Sequence, residues 1–266
     1  MTDIPTWTIG IGLGAVIALT AWRLAWLTGS GALAAWVAGT VAMGAGWDWG
    51  ITLISYFVAS SLLSRYRRAE KRRRTRGWLE KPGARDAAQV ASNGGLFVIA
   101  ALGDWVQPGE LWRIVGSGAL ATSAADTWAT EIGVLASVAP RSIVSGERVP
   151  PGASGGVSAV GTLAALGGAA FIAMHALAFG WTLPVARAAL VGGFAGSICD
   201  SVLGVTVQAR YWCASCDTDT ERRVHDCGTV TELREGAARW LNNDGVNSLA
   251  TVAGAAVSVG LALGIR

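Results

Sequence analysis

The hydrophobic positions of this chain form long blocks separated by short polar segments, and they do not alternate with polar positions. Blocks of about 17–25 apolar residues with few charges are typical of membrane-spanning segments. Backbone groups in lipid must bond within the protein, and a barrel would need alternation, so the blocks predict helices. We therefore predict an all-α fold, a polytopic transmembrane bundle in which residues 1–266 form a single integral membrane domain. The eight predicted spans are 6–27, 31–47, 50–64, 90–106, 113–138, 156–180, 185–209 and 245–264.

The composition agrees with a lipid environment. Hydrophobic residues make up 52% of the chain and charged residues only 15%, whereas soluble domains carry about a quarter charged residues. The 36 glycines favour a bundle whose helices approach closely. Many of the 13 tryptophans flank the blocks, where we expect them to form interfacial belts. These are Trp22, Trp26, Trp47, Trp49, Trp105, Trp112, Trp181, Trp212 and Trp240.

Three predicted loops, 65–89, 139–155 and 210–244, contain 17 of the 21 basic residues. With eight spans all three loops fall on one side of the membrane, and positive charge marks the cytoplasmic side. The sequence thus predicts a multi-pass protein of the cell (inner) membrane, with these loops in the cytoplasm and both termini outside. We interpret the densest run, 65–76, as an orientation signal that also attracts anionic lipid, by about 1 kcal/mol per basic residue. A specific partner is the less favoured alternative, and no nucleic acid is expected to bind.

Four acidic residues lie inside or at the edge of apolar blocks. Asp126 and Glu131 are in the fifth predicted span, Asp200 is in the seventh, and Asp244 begins the eighth. Charged residues inside spans are costly and usually functional, so we predict that these four are catalytic. We also predict that Asp126 and Asp200 bind Mg²⁺, because this hard ion takes carboxylates together with substrate phosphates.

Turns rich in glycine, serine and asparagine precede several spans on the same predicted side. Such turns expose backbone N–H groups at the positive ends of helices, which suits phosphate, and an arginine would add a cation. Hydrogen bonding between helices is the structural alternative for any single group. The predicted substrate-binding residues are Asn93, Gly94, Gly95, Arg141, Ser154, Gly155, Gly156, Ser158, Ser197, Asn243 and Asn247.

Three of the four cysteines are gathered in the loop 210–244. Cys213 and Cys216 are followed within about a dozen residues by His225 and Cys227, a spacing that predicts zinc held by three thiolates and one imidazole. Four protein ligands leave no open position, so this Zn²⁺ should be structural. A reducing cytoplasm disfavours disulfides, and free thiols in a mobile loop are the alternative.

The motifs SNGG, SAADTWATEIG, PGASGGVSAVGT, GSICDSVLGVTVQ and WLNNDGVN, in this order, resemble those of an integral membrane family found in bacteria, archaea, plants and animals. That family includes the plant phytyl-phosphate kinase, and the resemblance covers about residues 85–265. It implies a kinase that converts an isoprenyl monophosphate to the diphosphate with CTP or ATP as co-substrate. The cysteine-bearing loop looks like a feature of only part of the family, so it need not take part in chemistry. The functional positions implied by the resemblance are Asn93, Asp126, Glu131, Ser154, Asp200, Asn243, Asp244 and Asn247.

These features together predict one function and leave two alternatives. The expected function is that of a membrane kinase for a phytyl-like prenyl phosphate, with the lipid chain among the spans and magnesium bridging the phosphates. A transporter or flippase for a phosphorylated lipid or small anion would also use intramembrane carboxylates, although near the midplane. Nucleotidyl transfer to a lipid phosphate would require the same groups as the kinase.

Overall fold

The computed structural model describes residues 5–75, 83–234 and 236–264, and this part of the chain is mostly helical. The helices are α1 (Thr6–Arg23), α2 (Gly29–Ala45), α3 (Trp47–Arg65), α4 (Arg68–Arg74), α5 (Ala87–Val106), α6 (Glu110–Gly133), α7 (Ala159–Ala178), α8 (Leu183–Thr206) and α9 (Asn243–Gly264). The strands are β1 (Arg141–Ser142), β2 (Gly156–Val157), β3 (Tyr211–Cys213), β4 (Thr218–Thr220) and β5 (Glu232–Leu233).

Eight long helices occupy the eight predicted apolar blocks, so the predicted helical character of the blocks is confirmed. Within the described residues, α7, α8 and α9 are each long and apolar enough to cross a membrane, at 20, 24 and 22 residues. Helix α2 is also apolar but has only 17 residues. The count of eight spans therefore stays a prediction.

The all-α prediction is incomplete, because two polar segments form small sheets. Strands β1 and β2 pair antiparallel, and β3 is the central strand of an antiparallel sheet with the order β4-β3-β5. These segments connect the end of α6 to the start of α7, and the end of α8 to the start of α9. We call this end of the bundle the loop end.

Two tryptophans lie in the core and not in an interfacial belt. Trp49 is 0% exposed and Trp181 is 4% exposed, and their ring centroids are 5.0 Å apart. The Trp49 indole N–H donates to Asp104 at 2.9 Å, and the Trp181 indole N–H donates to Asp48 at 2.7 Å. A buried indole needs such a partner. The interfacial prediction is therefore wrong for these two side chains.

Helices α6, α8 and α9 pack with their backbones almost in contact. A Cβ atom added to Gly193 of α8 would lie 2.8 Å from the carbonyl carbon of Ala121 on α6. A Cβ atom added to Gly254 of α9 would lie 2.8 Å from the carbonyl oxygen of Gly192 on α8. Glycine at these positions is what allows the close approach, as in other small-residue helix contacts in membranes.

Residues 65–75 of the basic segment pack against the loop end and include the short helix α4. The Lys71 ammonium nitrogen lies 2.7 Å from a carboxylate oxygen of Glu131 on α6. The Arg74 guanidinium donates to two carbonyl groups that follow α6. Two basic residues of the predicted loop, Arg76 and Lys81, lie outside the described residues.

The helix packing yields a stability prediction. Gly254→Val should destabilise the bundle far more than Gly260→Val on the same helix. The first side chain would meet Thr122 and the backbone of Gly192, whereas nothing lies within 4 Å of a Cβ atom at Gly260. Overpacking typically costs about 1–3 kcal/mol, and each kcal/mol lowers the Tm by about 2–4 °C in a chain of this size. Thermal unfolding in detergent, followed by tryptophan fluorescence, measures both variants, and equal Tm values for the two would contradict the close packing.

Candidate functional site

A cavity of about 270 Å³ opens at the loop end of the bundle, between α5, α6, α7, α8 and α9. It brings together polar residues that are widely separated along the chain. The predicted site residues that line it are Asn93, Asp126, Glu131, Ser154, Gly155, Gly156, Ser158, Ser197, Asp200, Asn243, Asp244 and Asn247. The geometry therefore gathers most of the predicted site in one place, and the roles of these residues remain predictions.

Asp126 of α6 and Asp200 of α8 meet in this cavity, with their carboxyl groups within hydrogen-bonding reach of each other. Asp126 is seven residues before the end of α6, and Asp200 is six residues before the end of α8. At 1.5 Å per residue, each lies about 10 Å from the loop end of its helix. The pair thus sits inside the bundle and not among the surface loops.

One buried oxygen of this pair lacks a hydrogen-bond donor among the described residues. Asp200 Oδ2 is buried and makes no hydrogen bond within the described part of the chain. An unsatisfied buried carboxylate oxygen is costly, and a bound cation would offset that cost. The described lining supplies carboxylate, hydroxyl and amide oxygens from five helices, which is the donor set that Mg²⁺ prefers. The residues present therefore fit a hard divalent cation.

Glu131 differs from the aspartates because it already has a basic partner. Lys71 Nζ lies 2.7 Å from Glu131 Oε2, and the Lys71 side chain is almost fully buried. The same ammonium also donates to the Leu63 carbonyl oxygen at 2.5 Å. This ion pair neutralises Glu131 and fastens α4 to α6, which gives Glu131 a structural contact beside its predicted catalytic role.

Glu221 is a cavity residue that the sequence analysis did not identify. It follows β4 in the cysteine-bearing segment, is 6% exposed, and accepts a hydrogen bond from the Ser154 hydroxyl. It lies close enough to Asp200 for their charges to interact. The cysteine-bearing loop, which from the resemblance need not take part in chemistry, thus supplies an acidic side chain to the cavity wall.

Arg85 and Gln89 also line the cavity without having been predicted as site residues. Gln89 forms a capping box with Asp86 at the start of α5. The Arg85 guanidinium lies 3.4 Å from the Ser61 hydroxyl and 3.3 Å from the Ser64 hydroxyl of α3. In the sequence, Arg85 was one of ten basic residues in the segment 65–89, and only its position just before α5 sets it apart.

Three predicted site residues do not line the cavity. Gly94 faces a separate apolar groove, and Gly95 lines neither space. The Arg141 side chain is exposed and donates to the Gly146 carbonyl oxygen at 2.8 Å, so it stabilises its own hairpin.

Several predicted residues shape the cavity through local structure. Ser158 is the N-cap of α7, where its hydroxyl accepts from the Gly161 N–H at 3.1 Å. Gly155 has a φ of +75°, and a Cβ atom there would lie 2.7 Å from the Ser201 carbonyl oxygen of α8. Glycine at this position lets the loop backbone close against α8.

The positive ends of three helices lie beside the cavity. Helices α5, α7 and α9 all begin next to it, and each first turn is capped by a side chain. Backbone N–H groups at helix starts favour anionic groups such as phosphate. The cavity thus combines negatively charged carboxylates with the partially positive ends of three helices.

The four predicted zinc ligands form a compact cluster at the surface of the loop end. The ligand atoms of Cys213, Cys216, His225 and Cys227 all lie within 4.8 Å of one another. The Sγ atoms of Cys213 and Cys227 are 3.5 Å apart, and His225 Nδ1 is 3.3 Å from Cys227 Sγ. Thiolates held about 2.3 Å from a tetrahedral zinc ion would have similar separations. The predicted cluster can hold a metal ion such as zinc.

The cluster also favours a thiolate before any metal binds. The hydroxyl of Thr229, followed by the ring of His225, lowers the pKa of Cys227 to about 5 through hydrogen bonds. At neutral pH this sulfur is therefore ionised, and the thiolate is the form that binds metal.

Comparisons with known proteins agree with the membrane architecture. Residues 12–255 match a family model described as "Integral membrane protein DUF92". The chain is 30% identical over 261 residues to "Protein PGR" of Arabidopsis thaliana, a match that covers 88% of each chain. No solved structure matches it.

Two microbial relatives are membrane proteins without an assigned function. The chain is 27% identical over 222 residues to one from Methanocaldococcus jannaschii, covering 80% of this chain and 76% of the relative. It is 28% identical over 235 residues to one from Synechocystis sp., covering 85% of this chain and 79% of the relative. The resemblance to an integral membrane family that the motifs predicted is confirmed. Because the matched region runs from α1 into α9, the chain belongs to the integral membrane protein family DUF92.

Proposed function

We propose that this chain is a membrane phosphotransferase that moves a phosphoryl group from a nucleoside triphosphate to an isoprenyl monophosphate, giving the diphosphate. The observation that carries the proposal is the polar cavity at the loop end, where Asp126 and Asp200 lie beside three helix starts. Phosphoryl transfer depends mainly on positioning and on stabilisation of charge. Carboxylates that bind a cation and N–H groups that bind phosphate would together position the substrates and stabilise the transferred charge.

The charge balance of the cavity calls for a bound cation. Arg85 is the basic side chain among the described lining residues, against several carboxylates. Substrate phosphates would be repelled by these carboxylates unless a cation lay between them. Asp126 and Asp200 would hold Mg²⁺, which supplies neutralisation of the phosphate charge during transfer.

In the proposed step, an oxygen of the prenyl monophosphate attacks the γ-phosphorus of the nucleotide. The new P–O bond forms as the bond from the γ-phosphorus to the β–γ bridging oxygen breaks, and the nucleoside diphosphate leaves with that electron pair. The nucleophile is already anionic, so no side chain has to remove a proton. The amides of Asn93, Asn243 and Asn247, which line the cavity, would orient phosphate oxygens.

The depth of the carboxylates favours transfer over transport. A transporter places its site near the midplane, about 15 Å from either face of a hydrocarbon core about 30 Å thick. Asp126 and Asp200 are only about 10 Å from the loop ends of their helices, and most other polar residues of the cavity lie no deeper. A nucleotide arriving from water reaches such a site without crossing the bilayer.

We also propose that a Zn²⁺ ion at the Cys/His cluster is structural and holds Glu221 in place. Cys213 ends β3, and Glu221 directly follows β4, the strand paired with β3. A four-ligand site would fix this hairpin against the cavity rim through the contact between Glu221 and Ser154. The zinc would thereby support the site without touching the substrate.

The loop end is proposed to face the cytoplasm. Most of the 17 basic residues in the three predicted loops lie at this end of the bundle. Positive charge is retained on the cytoplasmic side of a membrane. The same side supplies nucleoside triphosphates.

The magnesium proposal predicts loss of activity without loss of fold. Asp126→Asn and Asp200→Asn should each lower magnesium-dependent turnover by at least about 100-fold, because a group that stabilises transferred charge is lost. Asparagine is nearly isosteric and relieves the repulsion between the two carboxylates, so the Tm should not fall. The matched control is Glu147→Gln, a change in an exposed loop side chain outside the cavity. Turnover within a few-fold of wild type, or a collapse of the Tm, would contradict the assignment.

The zinc proposal predicts a metal content that depends on one set of cysteines. Purified wild type should contain one zinc per chain by elemental analysis, and Cys213→Ser should lose it. Cys199→Ser is the control, because Cys199 lies in α8 away from the cluster and its loss should leave the zinc content unchanged. Cys213→Ser should also lower turnover to about the level of Glu221→Gln, if the zinc acts by holding Glu221. Equal zinc contents in Cys213→Ser and Cys199→Ser would refute the assignment of the cluster as the zinc site.

The orientation can be tested with single added cysteines and a membrane-impermeant maleimide. Glu147→Cys at the loop end should react only after cells are permeabilised, whereas Gln107→Cys at the opposite end should react in intact cells. Both positions are exposed, so access to the reagent decides the result. Wild-type protein gives the background from the native cysteines. Labelling of Glu147→Cys in intact cells would reverse the proposed topology.

A further inference from the structure

A second space in the bundle is apolar and lies among the first helices. This groove of about 90 Å³ runs between α1, α2, α3 and α5. Small residues of α1 and α2, such as Gly14, Ala35, Ala38 and Gly39, leave the space open. The nearly fully buried Met43 packs against Gly10, and both residues line the groove.

The groove joins the polar cavity directly. Four residues line both spaces, namely Arg85, Gln89, Asn93 and Thr127. Together with the hydroxyl of Tyr56, which hydrogen-bonds to Thr127, they account for the polar groups of the groove. The groove is therefore polar only where it meets the carboxylate cavity, and apolar along the rest of its length.

This distribution fits one class of molecule, an anionic head on a hydrocarbon chain. A guanidinium can donate up to five N–H groups to phosphate oxygens, and the contacts of Arg85 with Ser61 and Ser64 are long, at 3.4 and 3.3 Å. From Ala35 to Met43 the groove follows eight residues of α2, or about 12 Å. That length suits an extended chain better than a compact ligand.

We infer that the groove holds the chain of the lipid acceptor and that Arg85 at its mouth binds the acceptor phosphate. This inference rests on the proposed function for the identity of the acceptor, a prenyl monophosphate. The phosphate then lies where the groove enters the polar cavity, within reach of the nucleotide site. Chain-length selectivity would be set by the residues around Gly39 and Met43.

The inference can be tested by binding, without any need for turnover. The probe is geranylgeranyl monophosphate with a diazirine at the far end of its chain, irradiated with purified wild-type protein and mapped by mass spectrometry. Cross-links should fall on α1 and α2, near Gly10, Gly39 and Met43. Cross-links on the outer surface of α7 or α9 would overturn the inference.

Matched glycine variants test the groove itself. Gly39→Leu should lower cross-linking at least tenfold, because a Cβ atom there has room, 3.9 Å from its nearest neighbour, and the side chain would fill the groove. Gly12→Leu is the control, since Gly12 is exposed and a Cβ atom there meets nothing within 4 Å. Equal cross-linking in the two variants would overturn the inference, and the wild-type map still decides it if Gly39→Leu fails to fold.

A third arm addresses the role of Arg85. Arg85→Gln should weaken binding of geranylgeranyl monophosphate at least tenfold while leaving cross-linking by the corresponding diazirine alcohol unchanged. Equal losses for phosphate and alcohol would show that Arg85 only supports the groove. Cross-links in the groove without any kinase turnover would refute the proposed reaction and leave the lipid site standing, so the two failures are distinguishable.

Discussion

The close approach of α6, α8 and α9 is the constraint on which the rest of the structure depends. Gly193 and Gly254 let these backbones come almost into contact, and the Ser258 hydroxyl bonds across the interface to the Ala188 carbonyl oxygen at 2.9 Å. In lipid there is little hydrophobic drive between helices, so packing and such hydrogen bonds must hold them together. The same approach brings Asp126 of α6 against Asp200 of α8.

The two adjacent carboxylates place uncompensated negative charge near the loop end. Two carboxylates within the bundle require a compensating positive charge, and the helix starts of α5, α7 and α9 offer only partial charges. A hard cation bound together with substrate phosphates would satisfy both the carboxylates and the helix starts. The cysteine-bearing segment then closes the rim through Glu221, and the proposed lipid groove would bring the acceptor to the same point. Each part of the proposed site thus follows from where α6 and α8 meet.

The sequence predicts those site residues whose chemistry is unusual in their local sequence. Asp126 and Asp200 stand out because charges are rare in apolar blocks, and the predicted zinc ligands stand out because their spacing is specific. Glu221 and Arg85 could not be singled out, because each lies in a segment full of charges and only tertiary packing brings it to the cavity. Trp49 and Trp181 were misplaced for a similar reason, since their partners Asp104 and Asp48 are distant in sequence. The sheets in the loops escaped prediction because their strands are only two or three residues long.

The most direct test of the central claim is a transfer assay with purified protein in liposomes. The protein is incubated with γ-labelled ATP or CTP, Mg²⁺ and a panel of prenyl monophosphates, and both the label in the lipid and the movement of lipid between leaflets are measured. The account predicts labelled prenyl diphosphate that forms only when nucleotide, lipid phosphate and Mg²⁺ are all present, with no nucleotide-independent lipid movement. Movement of the lipid phosphate across the bilayer without any labelled diphosphate would contradict the account and identify a transporter.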